Sequence, residues 1–271
     1  MSVVKLSDIQ SPDTSLYGGK AASLARMIAE GFHVPPGFVV DADSYEEMSD
    51  ELETELLAAF DELGAEYVAV RSSALAEDGH TAAWAGQLET YLNTTRNDLA
   101  QRVRYCWASL KSERAAAYAN EHGVDIEKQK VAVVVQAMMQ SEVSGVAFSA
   151  HPVTQSLDQV VIEAAYGLGE AVVSGQVTPD TYIVQKADTS QIEAHVAKQT
   201  RKLAMEDGTT DWVDVADGDH QKLSNEMIAQ LAAIVKDLEV YYGHPVDVEW
   251  LEFEGELFIT QSRPITTLTK E

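Results

Sequence analysis

The sequence predicts an α+β fold arranged in two lobes, and three observations support this prediction. Segments with helical spacing of apolar residues alternate with short runs rich in valine along the 271 residues. Turns as well as helices separate those runs, which favours antiparallel strands over a parallel sheet. The chain is 45% hydrophobic and long enough to bury a sizeable core.

Four long segments have helical spacing and end where a glycine cap is expected. GKAASLARMIAEGF ends at Gly31, and SYEEMSDELETELLAAFDELG ends at Gly64. RNDLAQRVRYCWASLKSERAAAYANEHG is predicted to be one long amphipathic helix that ends at Gly123. SNEMIAQLAAIVKDLEVYYG follows an N-cap at Ser224 and ends at Gly243.

Strands are predicted in the segments between these helices. They are expected in VPPGFVV, EYVAVRSS, QLETYLNT, KVAVVVQAMM, SGVAFSAHPVT, QVVIEAAYGLGE and DTYIVQKA. The segment VDVEWLEFEGELFITQSRPI is predicted to be a hairpin that turns at Gly255. MEDGTTDWVDVADGDH is predicted to be an acidic surface loop, because it combines turn residues with many carboxylates.

Composition excludes several classes of function. The formal net charge is −25, from 19 basic and 44 acidic side chains, which argues against binding to nucleic acid or to an anionic membrane. An anionic substrate would need a few local cations. The single cysteine, Cys106, allows neither an intrachain disulfide nor a multi-cysteine metal site. No signal peptide or membrane span is recognisable, so we expect a cytoplasmic protein.

The hairpin at the end of the chain carries polar residues that packing does not require. Glu249 and Gln261 stand six residues on either side of Gly255, which places them opposite each other on one face. Arg263 shares that face by the two-residue alternation of a strand. A carboxylate and an amide oxygen suit Mg²⁺, and the guanidinium suits a phosphate. The alternative is a solvated polar face on an edge hairpin.

Two further segments carry cations. Lys20 follows two glycines at the start of a helix, a context that allows close approach of an anion; the alternative is a glycine turn before a surface lysine. Arg71 ends a buried strand and is followed by two hydroxyl residues. Its partner is either a phosphate or a carboxylate, with Glu77 and Asp78 as local candidates.

A glycine-containing loop follows the strand QVVIEAAY. Gly167, Gly169 and Gly175 could bring backbone N–H groups close to a phosphate, or could form ordinary tight turns. Glu163 and Glu170 flank the loop and would oppose an anion unless a metal ion lay between them.

Five motifs occur in one order and together resemble a known family. They are GGKAASLARM…VPPGFVV, VAVRSSALAEDG…AGQLETYLN, VVVQAMMQSEVSGVAFSAHPVT, VIEAAYGLGEAVVSGQVTPDTYIV and PVDVEWLEFEGELFITQSRPIT. The chain resembles, from about Gly18 to Thr266, the nucleotide-binding domain of the phosphoenolpyruvate synthase, pyruvate phosphate dikinase and rifampin phosphotransferase group. The resemblance implies a variant of the ATP-grasp fold, with ATP bound between two lobes at residues 1–95 and 96–271.

The resemblance also implies roles for individual residues. Lys20 and Arg71 would hold the ATP phosphates, and Arg263 would stabilise the transferring phosphoryl group, so these three are the candidate catalytic residues. Glu249 and Gln261 would bind Mg²⁺. The other residues implied to contact ATP, in the phosphate loops, at the adenine hinge and near the ribose, are Gly86, Thr90, Gln136, Ala137, Met138, Glu163 and Gly169.

The sequence departs from the family pattern in two ways. Only about twenty residues separate Tyr45 from Val68, where family members have a longer helical segment. Family enzymes also pass phosphate through a histidine on a swivelling domain, and none of the seven histidines lies in a segment that resembles its loop. We therefore expect an ATP- and Mg²⁺-dependent phosphotransferase that yields AMP and needs a partner protein with a phosphohistidine domain. The alternatives are a direct small-molecule kinase and a non-catalytic ATP-sensing module.

Overall fold

The computed structural model describes residues 2–75, 88–206 and 208–268. It divides into two compact units, Met1–Met138 and Met139–Glu271. Each unit combines helices with an antiparallel sheet, so the α+β prediction is confirmed. Among the described residues, no helix combines the length and the apolar character needed to cross a bilayer.

The first unit contains a five-stranded antiparallel sheet with the order β1-β2-β5-β3-β4. Its elements are β1 (Val3–Lys5), α1 (Thr14–Ala29), β2 (Gly37–Val40), α2 (Asp50–Leu63), β3 (Val68–Ala74), β4 (Thr90–Thr94), α3 (Leu99–Ser109), α4 (Glu113–His122) and β5 (Val131–Ala137). The predicted lobe boundary between residues 95 and 96 falls inside this unit, between β4 and α3. The assignment of separate roles to those two lobes stays a prediction.

The central strand β5 explains why the first unit holds together. Its residues from Val131 to Val135 have no exposed surface, because α1 packs on one side of the sheet and α2 and α3 pack on the other. Cys106 of α3 lies in this core, and burial raises the pKa of its thiol to about 12. The thiol is therefore protonated at neutral pH and has a structural role.

The second unit contains a six-stranded antiparallel sheet with the order β13-β12-β6-β7-β8-β9 and a separate two-stranded ribbon. Its elements are β6 (Val143–Phe148), β7 (Gln159–Tyr166), α5 (Glu170–Val173), β8 (Asp180–Gln185), β9 (Asp188–His195), β10 (Arg201–Glu206), β11 (Thr209–Asp214), α6 (Asn225–Tyr242), β12 (Val246–Phe253) and β13 (Glu256–Pro264). The ribbon consists of β10 and β11.

One face of the six-stranded sheet is covered by α6, and the other, which we call the open face, is partly exposed along β12. The covered face packs against α6, whose Leu231 and Val235 are fully buried. Along β12, Val248 and Trp250 point to this covered face and are buried, whereas the alternate residues are partly exposed. The two-residue alternation of β12 therefore places its charged side chains Asp247 and Glu249 on the open face.

Two predicted elements are wrong in detail. The predicted long helix is divided into α3 and α4, because Ser112 caps a new helix by accepting a hydrogen bond from the Ala115 N–H at 3.2 Å. The predicted acidic loop contains the strand β11, in which Trp212 pairs with Leu203 of β10. Three predicted helix ends, at Gly64, Gly123 and Gly243, are confirmed as left-handed caps.

Candidate functional site

The β12–β13 hairpin places Glu249 directly opposite Gln261, as predicted. The turn itself consists of Glu254 and Gly255, with φ angles of 53° and 82°. A regular ladder from this two-residue turn would pair Glu249 with Thr260. A β-bulge beyond Trp250 adds one residue to β13 and shifts the register, so that Gln261 becomes the partner. The predicted pairing is thus confirmed, but the bulge produces it.

Further polar residues share the open face with this pair. Arg263 pairs in register with Asp247, two residues along each strand from Gln261 and Glu249. Across the next two strands, Glu249 lies opposite Val146, and Val146 lies opposite Glu163. Directly opposed residues of an antiparallel sheet share a face. We call the group Glu163, Asp247, Glu249, Gln261 and Arg263 the carboxylate face.

Asp247 is the member of the carboxylate face that the sequence analysis missed. The alternation in VDVEW gives a sufficient signal, since Asp247 stands two residues before Glu249. Its carboxylate accepts a hydrogen bond from Nε of Arg263 at 2.8 Å, and Nη2 of Arg263 lies 2.7 Å from the same oxygen in an ion pair. The side chain of Asp247 is 12% exposed and that of Arg263 is 45% exposed. A mostly buried carboxylate therefore holds a half-exposed guanidinium in place.

The electrostatics of this face are unfavourable for its acidic groups. Burial raises the pKa of Asp247, and the charge of Glu249 adds to the shift, although the Arg263 guanidinium opposes it. Burial also raises the pKa of Glu163, with a further contribution from the charge of Asp247. Burial is the larger cause of both pKa shifts, and the neighbouring negative charge is the smaller one. A cation at this face would relieve the repulsion.

The donor set fits Mg²⁺ that is shared with a phosphate. Glu249 and Gln261 offer one carboxylate and one amide oxygen at opposed positions, and Mg²⁺ commonly takes one or two protein groups together with water and phosphate oxygens. Among the described residues, no group of three or more His, Cys, Asp or Glu side chains is arranged to hold a metal ion by itself. The carboxylate and amide oxygens of Glu249 and Gln261 fit a Mg²⁺ ion whose other ligands are water and phosphate oxygens.

In the first unit, the segment around Lys20 is docked onto β3. Gly18 has a φ angle of 74° and interrupts the helical geometry of α1. A Cβ atom at this position would lie 2.3 Å from Oγ of Ser73, so only glycine fits. Ser73 Oγ donates to the Tyr17 carbonyl at 2.9 Å and accepts from the Ala21 N–H at 3.2 Å. This contact joins the two sequence motifs.

The same contact brings the two predicted cations of the first unit to one strand. Lys20 Nζ donates to the Ser72 carbonyl at 3.1 Å, and Ser72 follows Arg71 in β3. Arg71 Nη1 donates to Oε1 of Gln136 at 3.3 Å. Thr90 lies directly opposite Arg71 on β4. Gly86, which is also expected to contact phosphate, lies outside the described residues, as do Glu77 and Asp78, the alternative carboxylate partners of Arg71.

The side-chain amide of Gln136 and the backbone N–H groups of Ala137 and Met138, in the predicted hinge at the end of β5, form hydrogen bonds within the protein. Gln136 is 3% exposed, and its Nε2 donates to the Pro35 carbonyl at 3.3 Å. The Ala137 N–H donates to the Pro36 carbonyl at 2.8 Å, and the Met138 N–H donates to the Tyr67 carbonyl at 3.0 Å. The side chain of Gln136 therefore supports Arg71, and the two following amides already have acceptors.

The glycine loop after β7 also forms backbone hydrogen bonds within the protein. The Gly167 N–H donates to the Glu142 carbonyl at 2.9 Å, and the Leu168 N–H donates to the Leu203 carbonyl at 2.8 Å. Gly167 has a φ angle of 91°, and a Cβ there would lie 2.3 Å from the Leu203 carbonyl oxygen. Close packing on β10 explains this glycine. Gly169 precedes the four-residue helix α5, and its predicted contact with ATP stays a prediction.

Comparison with known proteins gives matches over nearly the whole chain. Residues 46–271 match the family described as pyruvate phosphate dikinase, AMP/ATP-binding domain. The chain is 37% identical to a probable phosphoenolpyruvate synthase of Methanocaldococcus jannaschii, over 98% of this chain and 27% of that protein. It is 38% identical to a probable phosphoenolpyruvate synthase of Archaeoglobus fulgidus, over 100% of this chain and 42% of that protein.

A further curated relative and a solved structure are also similar to the chain over most of its length. The chain is 35% identical to a rifampicin phosphotransferase of Bacillus subtilis, over 98% of this chain and 36% of that protein. It therefore spans less than half the length of these curated relatives. A solved structure of D-alanyl-alanine synthetase A from Vibrio cholerae aligns with 91% of this chain over 55% of its own length, at 9% identity and a TM-score of 0.46.

Proposed function

The chain belongs to the pyruvate phosphate dikinase, AMP/ATP-binding domain family, and we propose that it binds ATP with Mg²⁺ and transfers one phosphoryl group of ATP to a histidine on a partner domain, while water takes the other as inorganic phosphate and AMP remains. The resemblance stated from the sequence motifs is confirmed by the match over residues 46–271. The single observation that supports the chemistry best is the carboxylate face, where an opposed carboxylate and amide stand beside an anchored guanidinium.

Glu249 and Gln261 are the residues proposed to hold Mg²⁺. When bound, Mg²⁺ would neutralise charge on the phosphate oxygens. The raised pKa of Glu163 and of Asp247 supports this role, because burial and, to a smaller extent, neighbouring negative charge disfavour their ionised forms, which a nearby cation would stabilise. Binding of a cation at the face would lower both pKa values. Glu163 is accordingly proposed to act at the carboxylate face, not at the ribose.

Arg263 is proposed to contact the transferring phosphoryl group. Phosphoryl transfer depends mainly on positioning and on neutralising charge, which a guanidinium does well because it presents several N–H donors in one plane. Asp247 fixes the guanidinium through Nε and Nη2. Asp247 is therefore proposed as a positioning residue, since it acts through Arg263.

In the first unit, Lys20 and Arg71 are proposed to hold phosphate oxygens of ATP, and Thr90 stands opposite Arg71. Gln136 is proposed to position Arg71, because its buried amide contacts that guanidinium. With the Ala137 and Met138 N–H groups already engaged, an adenine at this segment would have to be recognised through other atoms of the hinge. A cytoplasmic location is proposed with this function.

The acceptor is proposed to be a histidine supplied by another domain, in the same polypeptide or in a separate protein. The relatives named phosphoenolpyruvate synthase are longer than the matched region, since this chain covers only 27% and 42% of them. A second candidate is direct phosphorylation of a small molecule. The similarity to a protein named rifampicin phosphotransferase favours it, because that name states a small-molecule acceptor.

Two experiments test these proposals in turn. Isothermal titration of the full chain with Mg·ATP should show saturable binding, and the absence of heat at millimolar ATP would refute the proposal. Incubation with β- and γ-labelled ATP and a histidine-domain protein from the same genome should release AMP and label that protein. AMP formation without the partner, in the presence of a small-molecule acceptor, would favour the direct kinase instead.

A further inference from the structure

The second unit contains a cavity that the proposed reaction does not use. Its volume is about 650 Å³, within the range of small-molecule sites. Glu252, Val143 and Tyr166 form one wall and are opposed in register across β12, β6 and β7. Along its own strand, each of these residues lies three positions from the cross-strand row formed by Glu249, Val146 and Glu163. An odd step along a strand reverses the side-chain direction, so the cavity lies on the face opposite the carboxylate face.

Glu252 is the buried charged group of this wall. The residue is 7% exposed, and its carboxylate accepts one hydrogen bond, from the Gly255 N–H at 2.7 Å. Within residues 2–75, 88–206 and 208–268, no lysine, arginine or histidine forms an ion pair with it. A buried carboxylate without a cation is unfavourable, and a ligand ammonium in the cavity would provide the missing charge.

Lys202 lines the same cavity with the opposite charge. Its ammonium makes no hydrogen bond or ion pair with the part of the chain that the structure describes. The other lysine of the wall, Lys222, differs sharply from it. Lys222 is fully buried, contacts Asp180 at 2.9 Å and donates to the carbonyls of Ala197 and Gly218. The three N–H donors of the Lys222 ammonium are therefore all engaged, whereas the Lys202 ammonium can still donate to a ligand.

The remaining wall is apolar and aromatic. Val143 and Leu223 are buried there, Met227 is half-buried, and the Tyr166 ring lies 5.4 Å from the Lys222 ammonium. The wall thus offers an acceptor at Glu252, a donor at Lys202 and an apolar surface.

We propose that this cavity binds a small zwitterion with an apolar side chain, of the amino-acid class, with its ammonium at Glu252 and its carboxylate at Lys202. The exposed acidic residues at the rim, Glu142, Asp214 and Asp217, disfavour a purely anionic ligand such as a nucleotide. The proposal does not depend on ATP binding, because the two sets of residues lie on opposite faces of the sheet.

Calorimetric titration of the full chain with three related probes tests this assignment. L-leucine carries both charges, isoamylamine lacks the carboxylate, and 4-methylpentanoate lacks the ammonium. L-leucine should bind saturably with a Kd on the order of 1 mM or tighter, and each analogue should bind at least about tenfold more weakly. Equal binding of all three probes, or no binding of L-leucine up to about ten times that concentration, would overturn the proposal.

Two substitutions with matched controls locate the binding. Glu252→Gln keeps the hydrogen bond from Gly255 and should weaken L-leucine and isoamylamine by about tenfold without affecting 4-methylpentanoate. Lys202→Gln should weaken L-leucine and 4-methylpentanoate but not isoamylamine. Glu254→Gln and Lys198→Gln change exposed residues outside the cavity and should leave all three affinities unchanged.

Two further measurements keep the interpretation unambiguous. The Tm of each variant should stay within about 3 °C of the parent, which shows that lost binding is not lost folding. Saturating Mg·ATP should not displace L-leucine. Competition between them would assign the cavity to the nucleotide site and overturn the proposal, whereas absence of ATP binding alone would refute only the proposed function.

Discussion

Replacing Arg263 by alanine should lower the stability of the protein, replacing Asp247 by asparagine should leave it unchanged or raise it, and both substitutions should reduce phosphoryl transfer. Arg263→Ala removes the guanidinium that contacts Asp247 and leaves a carboxylate that is 12% exposed without that cation. Asp247→Asn removes a charge that burial disfavours, since the pKa of Asp247 is raised in spite of Arg263. The folded protein therefore gains or keeps stability when Asp247 becomes neutral.

The magnitudes follow from the exposure of the two groups. The 45% exposure of Arg263 limits the attraction itself to about 1 kcal/mol, and an unsatisfied buried carboxylate adds about 1–2 kcal/mol. Arg263→Ala should therefore lower the Tm by roughly 6–9 °C, at about 3 °C per kcal/mol. Asp247→Asn should leave the Tm unchanged or raise it by a few degrees.

Activity should fall in both variants because both disturb the guanidinium. AMP formation with a histidine-domain partner should decrease about 10²–10³-fold in Arg263→Ala, as for removal of a donor to a charged transition state. In Asp247→Asn, which keeps the guanidinium but loosens it, the decrease should be about tenfold. The affinity for Mg·ATP should change by less than about tenfold in either variant.

Differential scanning calorimetry and a coupled AMP assay measure the two effects on the same samples. The reasoning is refuted if the Tm falls by the same amount in both variants, because the burial of Asp247 would then not be unfavourable. Unchanged turnover in Arg263→Ala would point to the ATP-sensing alternative, in which the chain binds nucleotide without transferring phosphate.

Three other predictions concern individual contacts. Gly18→Ala should destabilise the first unit by about 2 kcal/mol or more, because its Cβ would meet Ser73; the control Gly64→Ala, with a similar φ but nothing within 4 Å, should cost only about 1 kcal/mol in urea unfolding. Glu163→Gln should raise the Tm at pH 7, because the pKa of Glu163 is raised in the folded protein and the wild-type protein therefore loses stability as the pH rises through that pKa. Below about pH 4 the glutamate is protonated, so the gain in Tm should vanish. A gain that persists at pH 3 would contradict the prediction. Gln136→Ala should weaken Mg·ATP binding, since the Arg71 guanidinium loses the amide that holds it, and unchanged affinity by calorimetry would remove Gln136 from the site.

The sequence could predict those features that depend on local spacing. The helix ends at Gly64, Gly123 and Gly243 follow from glycine in the left-handed region, and the structure has that geometry at each. The pairing of Glu249 with Gln261 also follows from counting residues. That count assumed a turn centred on Gly255, and a bulge compensates for the turn that actually forms.

Features that depend on burial and register could not be predicted in the same way. β11 carries few apolar residues, because it belongs to a two-stranded ribbon outside the main sheet, so its sequence has the composition of a loop. The contact between Arg71 and Gln136 requires the register of β3 on β5, which joins residues far apart in the chain. The buried pair of Lys222 and Asp180 likewise depends on a tertiary contact that no local pattern indicates.

The most direct test of the central claim is the affinity of the chain for ATP, measured by calorimetry with Mg²⁺ and with EDTA, for the parent and for Glu249→Gln. The account predicts that Mg²⁺ strengthens ATP binding to the parent at least about tenfold, and that Glu249→Gln removes this gain while leaving the affinity in EDTA unchanged. Equal affinity of the parent and Glu249→Gln for Mg·ATP would contradict the assignment of the carboxylate face as the metal and phosphate site.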